Sequence, residues 1–310
     1  MFIKKDEFYY KSSDELTNIH CVNWIANEIK CILQIAHGMV EHIERYEDFA
    51  KFLNNYGILV VGNDHLGHGK SISCEENFGY FSEKNGNNNV IKDMYYLTKI
   101  TKEKYPNLPY IFLGHSMGSF LLRQYLCEYG NEIDGAIIMG TGNEYTLHIK
   151  GGIALINKIA SQKGWRYRSE FIDKAVFAGF NKKFEPSKTG KEWLTRDEKI
   201  IQKYIEDKRC NFIFTLNGYY NLLYGIEKLS NKNYLNKMPK DLPILFVSGD
   251  KDPVGNFGKS VLSVFKTFKK IGMKNVECKL YEGFRHEILN EIGKKEVYND
   301  ILNWIIKILK

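Results

Sequence analysis

The chain has 310 residues, enough for one large domain or two small ones, and its 44% hydrophobic and 14% aromatic content exclude a disordered or low-complexity chain. Its 44 basic against 37 acidic residues, a net charge of +7, are spread without a Lys/Arg block, which argues against an arm built for nucleic acid and leaves at most a weak attraction to anionic surfaces. Six scattered cysteines without a Cys-x-x-Cys pair, a polar segment at 1–11 and no run near ~18 apolar residues predict free thiols, no signal peptide and no membrane span, hence a cytoplasmic protein.

The first predicted element is a β-hairpin over residues 7–26, where Tyr, Ile, Val and Trp alternate loosely between polar clusters. From residue 31 a rhythm sets in of short apolar runs, each ending in a Gly-rich turn and followed by a helical period. The first run, 31–36, opens into His37-Gly38-Met39, where Gly38 permits close backbone approach to a reacting group. Beyond it Glu41, His42 and Arg45 read as a buried hydrogen-bonded network, and residues 45–56 as a covering helix. The second run, 58–62, leads into Asn63-Asp64-His65-Leu66-Gly67-His68-Gly69-Lys70-Ser71. Asp64, His65 and His68 resemble metal ligands by type, but Gly67 and Gly69 favour a tight loop braced by polar side chains, so no metal is expected.

After a helix at 90–105, the run 110–113 feeds Gly114-His115-Ser116-Met117-Gly118 and a helical pattern over 119–129. Strand, Gly-x-Ser-x-Gly, helix is the context in which a serine sits on a strained turn with its hydroxyl raised above the sheet. Side chains at Gly114 or Gly118 would collide with neighbouring elements there. A serine hydroxyl needs a base in reach and a carboxylate to orient that base. It also needs donors for the developing oxyanion, which the N–H groups of Met39 and Met117 can supply.

The rhythm continues through 135–139 and then breaks over 142–237, where amphipathic pieces at 146–161, 169–178, 196–205 and 218–229 contain no strand. These predict a helical cap of residues 142–237 inserted into a core made of 1–141 and 238–310. The core resumes with a run at 243–248 ending in Asp250 and Asp252, a helix at 257–271, a run at 276–281 and a closing helix at 294–310. Asp252, further beyond the strand end, is the acid; Asp250, next to Gly249, braces the turn. Only His148 and His286 follow Ser116, and His286 is taken as the base because it lies in a loop after a strand whereas His148 lies in the cap. Six apolar runs separated by helices form a mostly parallel central sheet with helices on both faces, an α/β fold.

Together these motifs resemble the lysophospholipase and monoacylglycerol-lipase-like branch of the α/β-hydrolases, which overlaps the serine aminopeptidase S33-like hydrolases. The resemblance covers nearly all of the chain outside the cap. It implies Ser116 as nucleophile, Asp252 as acid, His286 as base and Met39 and Met117 as oxyanion donors, with no cofactor. It implies an ester hydrolase acting on a small acyl ester or lipid, with apolar cap segments such as Ile153, Phe212 and Tyr219 lining an acyl channel. Two departures stand out: the stretch Asn85-Gly86-Asn87-Asn88-Asn89 lacks a Trp often seen there, and the cap is where such proteins diverge most. Three other readings follow from the same residues. An aminopeptidase would hold a substrate ammonium with cap acids such as Glu144, Glu170, Asp173, Glu185 and Glu192. A receptor would bind a ligand in the cap without turnover, and the last helix, with Ile301, Leu302 and Trp304, would lie on a membrane surface.

Overall fold

The computed structural model describes residues 4–143 and 146–310. Its first two strands, β1 (Lys4–Lys11) and β2 (Asn18–Ile25), form the antiparallel hairpin the alternation predicts, paired from Lys4 with Ile25 to Lys11 with Asn18. Strand β3 (Cys31–Ala36), helix α1 (Glu47–Asn54), strand β4 (Ile58–Asn63), helix α2 (Gly86–Lys104), strand β5 (Tyr110–His115), helix α3 (Met117–Tyr129) and strand β6 (Gly135–Met139) follow. Five helices then intervene: α4 (Thr146–Lys163), α5 (Glu170–Val176), α6 (Glu198–Glu206), α7 (Leu216–Lys228) and α8 (Lys232–Leu235). The sheet resumes with β7 (Ile244–Gly249), α9 (Lys259–Lys270), β8 (Val276–Tyr281) and α10 (Lys295–Ile308).

The eight strands line up as β1-β2-β4-β3-β5-β6-β7-β8; β1 and β2 run antiparallel to their neighbours, and β3 to β8 are mutually parallel. Parallel strands covered on both faces have no polar side, which is why β3 to β7 read as largely apolar runs, with the buried Gln34 of β3 hydrogen-bonded to Met94 O and Thr98. The period of two still sorts them. Tyr110 and Phe112 point into the core shared with α2, α3 and α9, while Ile111 and Leu113 point into the core shared with α1 and α10. Ile301, Leu302, Trp304 and Ile305 of α10 are buried in that second core, so the apolar stripe of the last helix covers the sheet. Among the described residues no helix is long and apolar enough to cross a membrane.

Several helix boundaries differ from the periodicity by two residues or more, and two of them have a local cause in the backbone. Helix α2 begins at Gly86, four residues early, because Asn85 takes a left-handed φ of 55° and the Asn87 N–H donates to Asn221 Oδ1 of α7 at 2.8 Å, giving an Asn-rich stretch a polar partner. Helix α9 begins two residues late because Asn256, Phe257 and Gly258 all have positive φ.

The hairpin is tied to α2 through Asp93, whose buried carboxylate accepts the Ser12 hydroxyl (2.7 Å) and the Ser13 N–H (2.6 Å). Burial pushes this carboxyl up to about 6, although those hydrogen bonds pull it down. A folded value above the unfolded ~3.9 means that its contribution is fully present below pH ~4 and is lost as pH rises through about 6, on the order of 2–3 kcal/mol. Asp93→Asn, which keeps an acceptor for Ser13, is therefore expected to gain stability relative to the parent protein between pH 4.5 and 7.5 in parallel urea titrations. Two curves that stay equally spaced across that range would refute the assignment.

Candidate active site

The end of β5 turns into α3 through Ser116, whose backbone sits at φ 52°, ψ −119°, an uncommon conformation for a residue with a Cβ. The turn is fixed by Ser116 N–H donating to Met139 O (3.0 Å) and by Ser119 N–H donating to Ser116 O (2.8 Å). It is tight enough that a Cβ on Gly118 would strike the carbonyl of Ala36 and one on Gly114 would strike Gly118. Met117 is the first residue of α3, so its N–H has no acceptor within the helix and points out at the helix N-terminus.

Across the sheet end from Ser116 lies the loop after β3. A Cβ on Gly38 would fall 3.1 Å from Ser116 Cβ, so glycine is what lets the two backbones meet. The loop is pinned from both sides: Gly38 N–H donates to Glu41 Oε1, and His37 Nδ1–H donates to Gly38 O (2.7 Å) while its Nε2 accepts His65 N–H (3.0 Å). Those bonds need a neutral imidazole with the proton on Nδ1. Burial, with the neighbouring His68 adding to it, pushes His37 down to about 3 and keeps it neutral.

His286, in the loop after β8, and Asp252, in the loop after β7, meet with His286 Nδ1–H donating to Asp252 Oδ1 at 2.9 Å. Both are buried. Burial alone would push the imidazole down, but the Asp252 charge and hydrogen bond outweigh it and raise it above its ordinary value. Asp252 is itself oriented by Val254 N–H (2.9 Å) and the Ser248 hydroxyl (3.1 Å), whereas Asp250 accepts Gly283 N–H (2.7 Å) and braces the turn.

Ser116, His286, Met39 and Met117 line one cavity of about 720 Å³ between the sheet and the inserted helices. Its far walls are mostly apolar, from Ile156 of α4, Val176 of α5, Leu223 and Ile226 of α7, and Phe177, Phe180 and Phe212 between helices. His148 also lines it, from α4, while the Asp252 bond goes to His286.

The network at Glu41 and Arg45 extends further than the local sequence suggests. Arg45 Nη1 bridges Glu41 Oε2 (2.7 Å) and Glu287 Oε1 (2.8 Å), and Nη2 donates to Glu287 Oε2 (2.7 Å), so a largely covered guanidinium joins the Gly38 loop to the residue after His286. Burial raises the Glu41 carboxyl, but His115 and Arg45 overcome it and hold it well below the carboxylate range. His115 packs its ring 4.8 Å from that of His286 and places Nε2 3.3 Å from the His286 carbonyl. Glu287 gives no signal in the sequence beyond its place beside a histidine. His42 leaves the network and bonds Asp207 (3.0 Å) instead.

The loop with Asp64, His65 and His68 is braced as its glycines suggest: Asp64 accepts Ile43 N–H (2.9 Å), Lys70 N–H (2.8 Å) and His20 Nδ1–H (2.8 Å). Among the described residues, metal-ligating atoms converge at His42, Asp207 and Cys210, where Arg209 already ion-pairs Asp207 (2.8 Å). Of the acids weighed for an ammonium pocket, Glu170 pairs with Lys174 at the surface (3.3 Å), Glu185 accepts Ser187 N–H (2.8 Å), and Glu192 accepts Ser187, Asn181 and Thr189. Asp173 faces the cavity, where it accepts the Tyr219 hydroxyl (2.6 Å) and has Lys191 on the same wall. Glu144 lies outside the described residues.

A family model described as serine aminopeptidase, S33, matches residues 27–293. A monoacylglycerol lipase of Mycolicibacterium smegmatis is 25% identical over 280 residues, covering 89% of this chain and 88% of that protein. A monoglyceride lipase homolog of Monkeypox virus is 25% identical over 300 residues, 94% of this chain and 95% of that protein. Among solved structures, a highly thermostable carboxyl esterase from Bacillus coagulans, in complex with glycerol, superposes with a TM-score of 0.92 at 27% identity over 100% of both chains.

Proposed function

The chain belongs to the serine aminopeptidase S33 family of α/β-hydrolases, and from that membership we propose that it is a serine ester hydrolase of the monoacylglycerol-lipase and lysophospholipase type. One observation carries the reading: a serine on a strained strand–helix turn opens, together with a carboxylate-paired histidine, onto a largely apolar cavity. Ser116 Oγ attacks the acyl carbon as His286 Nε2 takes its proton; Asp252, on Nδ1, stabilises the imidazolium. The N–H groups of Met39 and Met117 hold the oxyanion. His286 then protonates the leaving alcohol, and water repeats the cycle on the acyl-enzyme.

The substrate is a small acyl ester or lipid whose chain lies along the apolar wall, and residues 142–237 act as the cap that closes over it. The names of the relatives and the shape of the cavity support this choice. The six cysteines are free thiols, which supports a cytoplasmic setting. The aminopeptidase reading is weaker, because the carboxylates an ammonium would meet in the cavity are already engaged, Asp173 by Tyr219 and Glu41 and Glu287 by Arg45, and Lys191 stands on the same wall as Asp173. Side-by-side assays decide between them. Monoacylglycerols and p-nitrophenyl esters are expected to be cleaved and proline-p-nitroanilide left intact; the reverse pattern would overturn the ester reading. Absence of labelling by a fluorophosphonate would favour binding without turnover.

A further inference from the structure

The loop that carries His286 is not held by the sheet alone. His286 N–H donates to Trp193 O (3.3 Å) and Glu287 N–H to Leu194 O (2.7 Å), so a stretch of the insertion between α5 and α6 runs beside the loop like a short strand. The Thr195 hydroxyl donates to Asn290 O (3.1 Å), and Arg285 Nη1 reaches back to Glu192 O (2.6 Å) and Thr195 O (3.2 Å). Glu291 ties the two segments together. Its fully buried carboxylate accepts Arg285 N–H (3.0 Å) from the base's own loop, and Arg196 N–H (3.1 Å) and Arg196 Nε–H (2.9 Å) from the insertion. The Trp193 ring packs 5.1 Å from the His286 ring, which also has the His115 ring at 4.8 Å, and the same indole joins Phe177 and Phe180 in the cavity wall.

We infer that Arg196 and Glu291 are positioning residues, which set the His286 imidazole against Asp252 by fastening the 193–196 segment of the insertion to the base's loop. The insertion would then form part of the catalytic apparatus as well as the roof of the cavity. The inference rests on the ester-hydrolase reading for its consequence in turnover, though not for its geometry. An imidazole that moves by about 1 Å loses on the order of 10²-fold in rate, so a loosened clamp acts on kcat far more than on KM.

Charge and geometry push the result in opposite directions, which makes Arg196→Met the informative variant. The groups that act on the imidazole are Asp252, Glu287 and Glu41, with His115 against its ring. Removing a nearby cation would by charge alone raise the His286 pKa; releasing the imidazole from Asp252 lowers it. Arg196 is 35% exposed at its side chain, and Glu291 keeps the Arg285 and Ile292 N–H groups as donors when Arg196 is replaced.

The test follows kcat, KM and the acid limb of the pH–rate profile on p-nitrophenyl butyrate, beside an NMR titration of His286, for the parent, Arg196→Met, Arg196→Lys, Glu291→Gln and Ser116→Ala. The expected result for Arg196→Met is a kcat down about tenfold or more, a KM within about twofold, and both the acid limb and the imidazole titration displaced to lower pH, with Arg196→Lys recovering much of the loss. Glu291→Gln is expected to follow Arg196→Met. A kcat within about twofold of the parent, or a lowered melting temperature with the titration unmoved or raised, would overturn the inference. If the parent cleaves no ester, the ester reading fails while the titration still decides whether Arg196 holds the base.

Discussion

Ser116→Ala is expected to leave a folded protein whose ester turnover falls by roughly 10⁴- to 10⁶-fold, the size of loss seen when a member of a nucleophile–base pair is removed. The substitution is suited to the question because it changes one atom. Alanine keeps the Cβ, so the backbone at φ 52° carries no new strain, and the bonds that fix the turn, from Ser116 N–H to Met139 O and from Ser119 N–H to Ser116 O, are main-chain and survive. A matching melting temperature and the loss of fluorophosphonate labelling would accompany the loss of rate. Residual rate above the uncatalysed reaction is expected, since the Met39 and Met117 N–H groups remain to hold an oxyanion. A variant retaining a tenth of the parent activity would remove Ser116 from the mechanism.

What the sequence discloses of this site depends on how local each signal is. Ser116 is legible because strand, turn and helix are contiguous, and His286 because only one other histidine follows the serine. Asp252 and Asp250 are separated by placement alone, and their partners differ as that placement suggests: an imidazole for one, a turn N–H for the other. The proposed clamp on the His286 loop is illegible for the opposite reason. Arg196 and Glu291 are 95 positions apart, each an ordinary surface residue by type, and their meeting is decided by where the insertion folds back onto the sheet. The Asn-rich stretch shows the same limit. Periodicity alone starts the helix at 90, yet Asn87 N–H in this stretch and Phe81 N–H just before it donate to Asn221 and Asn217 of α7, side chains that only tertiary packing supplies. Glu287 belongs with these, since its value lies in meeting Arg45 across 242 positions.

In the proposed mechanism Asp252→Asn separates the two roles of the acid, and the surroundings of Asp252 set the size of the effect. In the parent, Oδ1 accepts both His286 Nδ1–H and Val254 N–H, while Oδ2 accepts the Ser248 hydroxyl. An asparagine must satisfy the Val254 N–H, a main-chain donor that cannot turn away, so its amide oxygen takes the Oδ1 position and its NH₂ faces Ser248, whose hydroxyl can rotate to accept. The imidazole then keeps its proton on Nδ1 and its Nε2 free for Ser116. What is lost is the negative charge beside the imidazolium that forms in the transition state. Where an asparagine instead imposes the wrong tautomer the loss is about 10⁴-fold; retention of the tautomer here predicts a smaller one, on the order of 10²- to 10³-fold in kcat/KM. The pH profile supplies the sign. Burial lowers the His286 pKa and Asp252 raises it above the ordinary value, so the parent's acid limb lies above pH ~6.5 and the variant's falls below that of the parent, with burial now unopposed by the carboxylate. Activity at low pH is therefore reduced less than activity at pH 8. An acid limb that stays in place would mean that the titration belongs to another group, and a loss of 10⁴-fold or more would mean that the amide has turned its NH₂ to the histidine.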